Sequence, residues 1–294
     1  MIELIKHRAS TDALYDFSVL IPTWNNLPFI KNCVRSLQQH STLRIQVVLI
    51  VNEGVDGTLL WAKESGFDFV HAAQNVGICY ALNAAREIIL SDYIVYANDD
   101  MYFLPKWDVK LMNEIRNLGH HAFMLSSTMI EPDDTGNSCV SIGNYGKTLD
   151  TFDEKKLLNQ YQNHFKSDWK GSTWPPNVMH KDVWDLVGGM SIEFSPGMYS
   201  DPDLSMKLYQ AGVRHFKGVG DSMVYHFGSK STKRVRKNKG RKTFILKWGI
   251  SAHTFSKQYL QTGQNWDGIP SSYQITFWQK WTSKIKRMMA SLSE

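Results

Sequence analysis

Asn98, Asp99 and Asp100 close a run of strand formers, Tyr93-Ile94-Val95-Tyr96-Ala97. Two adjacent carboxylates at the end of a buried, β-branched and aromatic strand put hard oxygen ligands at the rim of a sheet, where α/β proteins hold ligands. Such a pair binds Mg²⁺ or Mn²⁺, and the ion in turn neutralises a phosphate. The same residues also suit a plain strand-to-loop turn, because Asn and Asp are ordinary turn formers. Asp201 stands before Pro202 at the head of an apolar pattern (Leu204, Met206, Leu208, Tyr209) that stops at Gly212. That reads as an N-cap with Pro at the first helical position, and a helix N-terminus is also a good platform for a carboxylate. His226 follows the apolar pair Val224-Tyr225. A neutral imidazole there suits Mn²⁺, although a strand-end His is as readily a satisfied core residue. Trp169 and Trp174, beside Pro175-Pro176-Asn177, offer faces for a sugar ring or a packing corner.

The elements that must position these groups alternate. Residues 17–21 read as a first strand stopped by Pro22, followed by a helix over 27–39. Residues 46–51 form a continuously apolar second strand, as in a parallel sheet covered on both faces. A short helix over 58–65, a strand over 67–71 and a helix over 77–90 lead to the strand ending at Asn98. Strand and helix in alternation with short links predict an α/β, doubly wound layer. The loops 23–26, 52–58 and 98–100 then lie at carboxyl ends of strands and should converge on one crevice, an argument for a nucleotide site. A helix over 107–117 and a strand over 122–130 precede a loop-rich region, 131–177.

At 294 residues, 43% hydrophobic and 12% aromatic, the chain has the composition of a globular protein with a substantial core. Cys33, Cys79 and Cys139 are widely spaced, which argues against a disulfide framework and a thiolate zinc site. Neither a signal peptide nor a membrane-spanning run is visible, so the expectation is a cytoplasmic protein. The net charge of +5 is concentrated: residues 230–242 carry eight basic side chains and no acid. A local patch implies a local partner. Nucleic acid is disfavoured, because the run has no interleaved aromatics and no recognisable RNA or DNA module.

Together these pieces resemble family 2 glycosyltransferases of the GT-A fold, over roughly residues 17–249. Ser18-Val19-Leu20-Ile21-Pro22-Thr23-Trp24-Asn25 is similar to the family's opening strand and loop. Asn52-Glu53-Gly54 resembles its base-reading loop, where Asp is more usual. Asn75-Val76-Gly77 and Asn83 match the helix leading to the metal motif, and Asn98-Asp99-Asp100 stands in the place of that DxD-like motif. The resemblance implies a mixed, mostly parallel Rossmann-like sheet flanked by helices, with a helical C-terminal extension. It implies a catalytic domain over 1–249, divided into a nucleotide- and metal-binding half (16–105), an acceptor half (106–229) and a basic flap (230–242), with 250–294 as the extension. The nucleotide-binding set would be Pro22, Thr23, Asn25, Asn52, Asn75, Gly77, Asn83, Asn98 and Asp99. Asp100, Asp99 and His226 would hold Mn²⁺ or Mg²⁺. Gly197 to Ser205 resembles the family's acidic "ED-x-DL" motif, with Ser200 in place of Glu. Asp201 would then be the general base, and Asp203 an acceptor-binding or structural residue. Trp174 would touch acceptor, and Lys233 and Arg234 would close over the donor diphosphate.

The implied activity is inverting transfer from a nucleotide-diphosphate-sugar, a UDP-sugar first, to a glycan or lipid-linked glycan such as a surface polysaccharide. A catalytically silent carbohydrate- or nucleotide-binding protein on the same fold is the competing expectation. A sugar nucleotidyltransferase would need a Gly-rich phosphate loop after the first strand, which is missing. Residues 275–292 form the clearest amphipathic helix: Phe277, Trp278, Trp281, Ile285, Met288, Met289 and Leu292 share one face, with Lys280 and Arg287 opposite. That describes an interfacial helix at the inner face of the cell membrane. The same stripe could dock on the catalytic domain or form a homodimer.

Overall fold

The computed structural model describes residues 3–9, 14–228, 238–271, 273 and 276–292. Residues 275, Lys233 and Arg234 of the expectations above lie outside them.

One mixed sheet of eleven strands runs through the molecule. Its strands are β1 (Leu4–His7), β2 (Phe17–Trp24), β3 (Ile45–Asn52), β4 (Asp68–Ala72), β5 (Tyr93–Tyr96) and β6 (Met101–Phe103), followed by β7 (Phe123–Glu131), β8 (Ser141–Ile142), β9 (Trp169–Lys170), β10 (Asn177–His180) and β11 (His215–His226). The order is β1-β4-β3-β2-β5-β10-β7-β11-β6, with β8 on β7 and β9 on β11. β4, β3, β2 and β5 are mutually parallel, as their unbroken apolar runs require of strands covered on both faces. β10 enters antiparallel between β5 and β7 and so joins the two halves into one sheet.

The helices are α1 (Leu27–His40), α2 (Thr58–Glu64), α3 (Ile78–Ala85), α4 (Trp107–Leu118), α5 (Glu154–Gln160), α6 (Lys181–Val187), α7 (Ser200–Gln210), α8 (Gly240–Trp248), α9 (Ala252–Thr254) and α10 (Phe277–Leu292). Ile30, Cys33, Val34 and Leu37 of α1 and Trp107, Leu111 and Ile115 of α4 bury against one face of the sheet. Cys79, Leu82 and Ala85 of α3, Trp184 of α6, Leu204 and Leu208 of α7 and Phe244 of α8 bury against the other. Apolar layers on both faces match the α/β expectation, and the three cysteines are free and buried.

Sequence reading erred on particular elements. β1 was not foreseen; it pairs antiparallel with β4 as an edge strand. β10 was also missed, and of β11 only the end at His226 was expected, although it is the longest described strand at 12 residues. Its apolar run is broken at Gly220-Asp221-Ser222, where the register against β7 shifts between Val219 and Met223. The helix over 77–90 ends early: α3 stops at Ala85 and continues as a 3₁₀ turn, Arg86–Ile88. No helix among the described residues is long and apolar enough to cross a membrane.

Candidate active site

The carboxyl ends of β2, β3 and β5 open on a cleft of about 730 Å³. Pro22 and Thr23 from β2, Asn52 from β3, and Asn98, Asp99 and Asp100 beyond β5 line it, as do Asn75, Gly77, Trp174, Asp201 and His226. The loops of the parallel half are tied to one another. Thr23 Oγ1 donates to Asp99 Oδ2 at 2.7 Å. Asn52 Oδ1 accepts from the Val76 amide at 3.0 Å, and Asn75 Oδ1 from the Gly77 amide at 2.9 Å. Gly77 has φ +76°, and a Cβ there would lie 2.7 Å from Pro196 Cα. Only glycine fits where the turn before α3 meets the loop before α7. The Ile78 amide donates to Pro196 O across the same junction.

Asp100 and His226 meet because β11 pairs antiparallel with β6, placing His226 opposite Met101. The Phe227 amide donates to Asp100 O at 3.1 Å and fixes the pairing. His226 Nε2 lies 3.3 Å from Asp100 Oδ1, and its Nδ1 lies 2.8 Å from Glu131 Oε1. Burial alone would lower the histidine pKa, but the Asp100 and Glu131 carboxylates carry it up to about 10. Nε2 is buried without a hydrogen-bond partner. Hard carboxylate oxygens beside an unpartnered imidazole nitrogen fit a divalent ion. Glu131, which sequence reading passed over, also lines the cleft. Only the apolar pair Met129-Ile130 before it hints at a strand end, and nothing local ties it to Asp100. A second group, His121, His180 and Asp182, brings ligand atoms within 4.8 Å of one another. It does not line the cleft, and His180 Nδ1 already accepts from the Asp182 amide.

Asp201 stands in the first turn of α7, but it is not the N-cap that sequence reading expected. Tyr199, at φ +70°, holds that position, and Ser200 Oγ donates to Gly197 O at 2.5 Å. The tight turn at Gly197 starts the helix two residues earlier than an Asp-Pro cap would. Asp201 is thereby released from capping. Although the residue as a whole is partly exposed, its Oδ1 is sealed from solvent and has no hydrogen-bond partner. Burial pushes its pKa up to about 7. A carboxylate that changes charge near neutrality beside a polar cleft is suited to proton transfer.

Three expected site residues are used elsewhere. Asn25 Nδ2 donates to Glu53 Oε2, and its Oδ1 accepts from the Val55 amide, so it braces two loops outside the lining. Asn83 clamps the Met190 backbone through both its amide atoms, at 2.7 and 2.8 Å. Asp203 is fully buried; it accepts from Trp248 Nε1 at 2.8 Å and pairs with Lys247 at 3.0 Å. Each satisfies buried polar groups, which folding demands as strictly as binding does. Trp169 is a packing residue whose Nε1 donates to Thr128 Oγ1. The described end of the expected flap, residues 238–242, enters α8 and does not line the cleft. Its far wall instead comes from a segment sequence reading left without a role. Ala252, His253, Phe255, Ser256 and Leu260 reach it from α9 and the π-helical turn Phe255–Leu260. π-Helical turns are frequent at functional sites.

With this geometry in place, comparison with known proteins is informative. The family model of "Glycosyl transferase family 2" matches residues 18–173. None of the curated proteins searched matches the chain. Among solved structures, TarS 1-349 of S. aureus in complex with UDP-GlcNAc is 14% identical, with a TM-score of 0.56 over 80% of this chain and 65% of that one. GalNAc-T7 with UDP, GalNAc and Mn²⁺ is 14% identical, with a TM-score of 0.57 over 84% and 50%. A mycobacterial protein is 14% identical, with a TM-score of 0.54 over 80% and 75%. The chain spans less than two thirds of the length of the TarS chains it matches. At such identities the likeness is one of fold, and that fold is GT-A.

Proposed function

We propose, for a chain that belongs to glycosyl transferase family 2 and is a glycosyltransferase, transfer of a sugar from a nucleotide-diphosphate donor to a hydroxyl of a glycan with inversion at the anomeric carbon. The observation that carries this reading is the cleft itself: the pair Asp99-Asp100 and, about a hundred residues on, Asp201 line one cavity large enough for a nucleotide sugar. UDP is the nucleotide we favour, since the TarS and GalNAc-T7 structures hold UDP or UDP-GlcNAc.

Pro22, Thr23, Asn52, Asn75, Gly77 and Asn98, which line the cleft, would surround the nucleoside end of the donor. Asp99, Asp100 and His226 would hold the divalent ion, Mn²⁺ or Mg²⁺, with Glu131 orienting the imidazole through Nδ1. Bound there, the ion supplies Lewis-acid stabilisation of the charge that grows on the leaving diphosphate. Asp201 takes the proton from the acceptor hydroxyl. The freed oxygen forms the new bond at the anomeric carbon as the bond to the diphosphate oxygen breaks, and the nucleotide diphosphate leaves. A base so placed contributes about 10²–10⁴-fold. Trp174 and the wall made by His253 and Ser256 border the remaining space, where the acceptor would lie. The acceptor we favour is a glycan of the cell surface, carried on a lipid at the inner face of the cell membrane, with α10 turned to that membrane.

The test is release of nucleotide diphosphate from purified protein given UDP-, GDP- and dTDP-sugars with Mn²⁺, with and without EDTA. Release that EDTA stops and that Asp201→Asn reduces at least a hundredfold, with melting in the absence of donor no lower than that of wild type, supports the reading. Full turnover in EDTA removes the metal, and full turnover in Asp201→Asn removes the base.

A further inference from the structure

α10 is amphipathic, yet most of its apolar arc is left off the domain. Phe277, Trp278, Trp281, Met288 and Leu292 are each at least 52% exposed. The helix meets α8 along the edge of that arc, where Lys286, Met289 and Ala290 line a groove of about 620 Å³. Across it stand Lys239, Arg241 and Lys242 from the start of α8. The groove floor is apolar, formed by Met198, Tyr199 and Ile245, and no acidic residue lines it. It is a constructed feature. Asn238 donates to Phe194 O and Ser195 O and accepts from the Gly240 amide, which pins the α8 N-terminus to the loop that leads into Asp201. Met198 and Tyr199 belong to both cavities, so the groove opens beside the catalytic cleft.

We propose that this groove between α8 and α10 binds the phosphate headgroups of an anionic phospholipid bilayer while the aromatic arc of α10 enters the interface. Charge complementarity selects the occupant. Four cations line the groove, α10 itself has no acidic residue, and Lys284 and Lys286 flank its apolar arc. Tryptophans beside basic side chains are the composition of an interfacial helix. The groove adjoins the arc at Met289, so lipid headgroups and acyl boundary would grip the helix together. The shared Met198-Tyr199 wall would then hold the cleft mouth close to the membrane plane, which is where a lipid-carried acceptor presents its hydroxyl. This deepens the membrane-side acceptor named above and rests on that reading for its purpose, but the binding itself is read without turnover.

The full chain should sediment with vesicles of phosphatidylcholine plus phosphatidylglycerol, should be released by salt, and should stay in solution with phosphatidylcholine alone. Replacing Lys239, Arg241 and Lys286 together with Ala should weaken binding on the order of 100-fold, about 1 kcal/mol per cation removed. Trp278→Ser with Trp281→Ser should also release the protein, while leaving donor hydrolysis in solution at the wild-type rate. Circular dichroism confirms that each variant is folded. Equal binding to neutral vesicles would overturn the proposal, as would wild-type binding by the groove variant. So would a stable dimer in light scattering that ignores vesicles, or protection by inorganic phosphate without vesicle binding. Vesicle binding by a protein inactive on every donor would leave the membrane site standing and sink the transferase chemistry instead.

Discussion

Glu131 Oε1 lies 2.8 Å from His226 Nδ1, so the other ring nitrogen is the one presented towards Asp100, 3.3 Å away. The contact sets the tautomer a metal ligand needs, with the proton on Nδ1 and the lone pair on Nε2. Glu131→Gln should therefore weaken Mn²⁺ binding by about 10–100-fold while leaving the fold intact. Titrating Mn²⁺ into the variant by calorimetry checks this; an unchanged affinity would reduce Glu131 to a packing residue.

Without metal, His226 is protonated at neutral pH, its pKa carried up to about 10 by Asp100 and Glu131. Ligation requires the neutral ring, so metal binding near pH 7 should expel about one proton. Binding heats measured in two buffers of different ionisation enthalpy report that proton directly. Identical heats would take His226 out of the ligand set.

Asp201 gives two pH signatures of opposite use. As a base it must be ionised, so turnover should rise with pH through about 7 and level off above it. As a buried acid its folded pKa exceeds the ordinary carboxylate value, so the folded state holds the proton more tightly than the unfolded one. Its contribution to stability is complete below about pH 4 and declines as pH rises through about 7. Asp201→Asn mimics the neutral form and should melt higher than wild type at pH 8, yet equally near pH 4. A variant less stable at pH 8 would mean that the carboxylate has partners in the folded protein.

Asp203, two residues on, should behave differently. Removing it strands the Trp248 indole N–H beside a buried site, while Lys247 keeps Glu193 and Ser191, at a cost of about 1–3 kcal/mol. Asp203→Ala should lower the melting temperature sharply, while the material that stays folded keeps its acceptor KM. A raised KM without loss of stability would restore the acceptor role that its place in the acidic motif suggested.

Gly77→Ala tests the junction with Pro196. A methyl group would meet Pro196 Cα at 2.7 Å from a backbone at φ +76°, which costs about 2 kcal/mol or more. Both melting temperature and donor affinity should fall, because the turn holds Asn75 and, through Val76, Asn52. Wild-type values for both would show that the loops give way without consequence.

The parallel half was legible because its physics is local. Strands buried on both faces are written as unbroken apolar runs such as Val47 to Val51, and the polar residues just beyond them fall at the cleft. Asn25, Asn83 and Asp203 misled for a general reason. A polar residue in a suggestive motif can serve a ligand or an orphaned backbone group, and only coordinates show which. Glu131 and the 252–260 segment were missed because their proximity to Asp100 and Asp201 depends on long-range pairing. The register of β11 on β6, and the packing of Phe255 and Leu260 into the core, leave no short-range mark. The N-cap assigned to Asp201 failed because Tyr199 adopts a left-handed conformation that aromatic residues seldom take.

The contact of Gly77 with Pro196 also bears on how such an enzyme could be re-engineered. On the proposed reading, residues 75–78 would cradle what departs and 195–201 would lead to the base for what arrives, yet Gly77 and Pro196 are packed too closely for either stretch to change alone. Grafting a new specificity onto this scaffold thus means transplanting both stretches as a matched cassette.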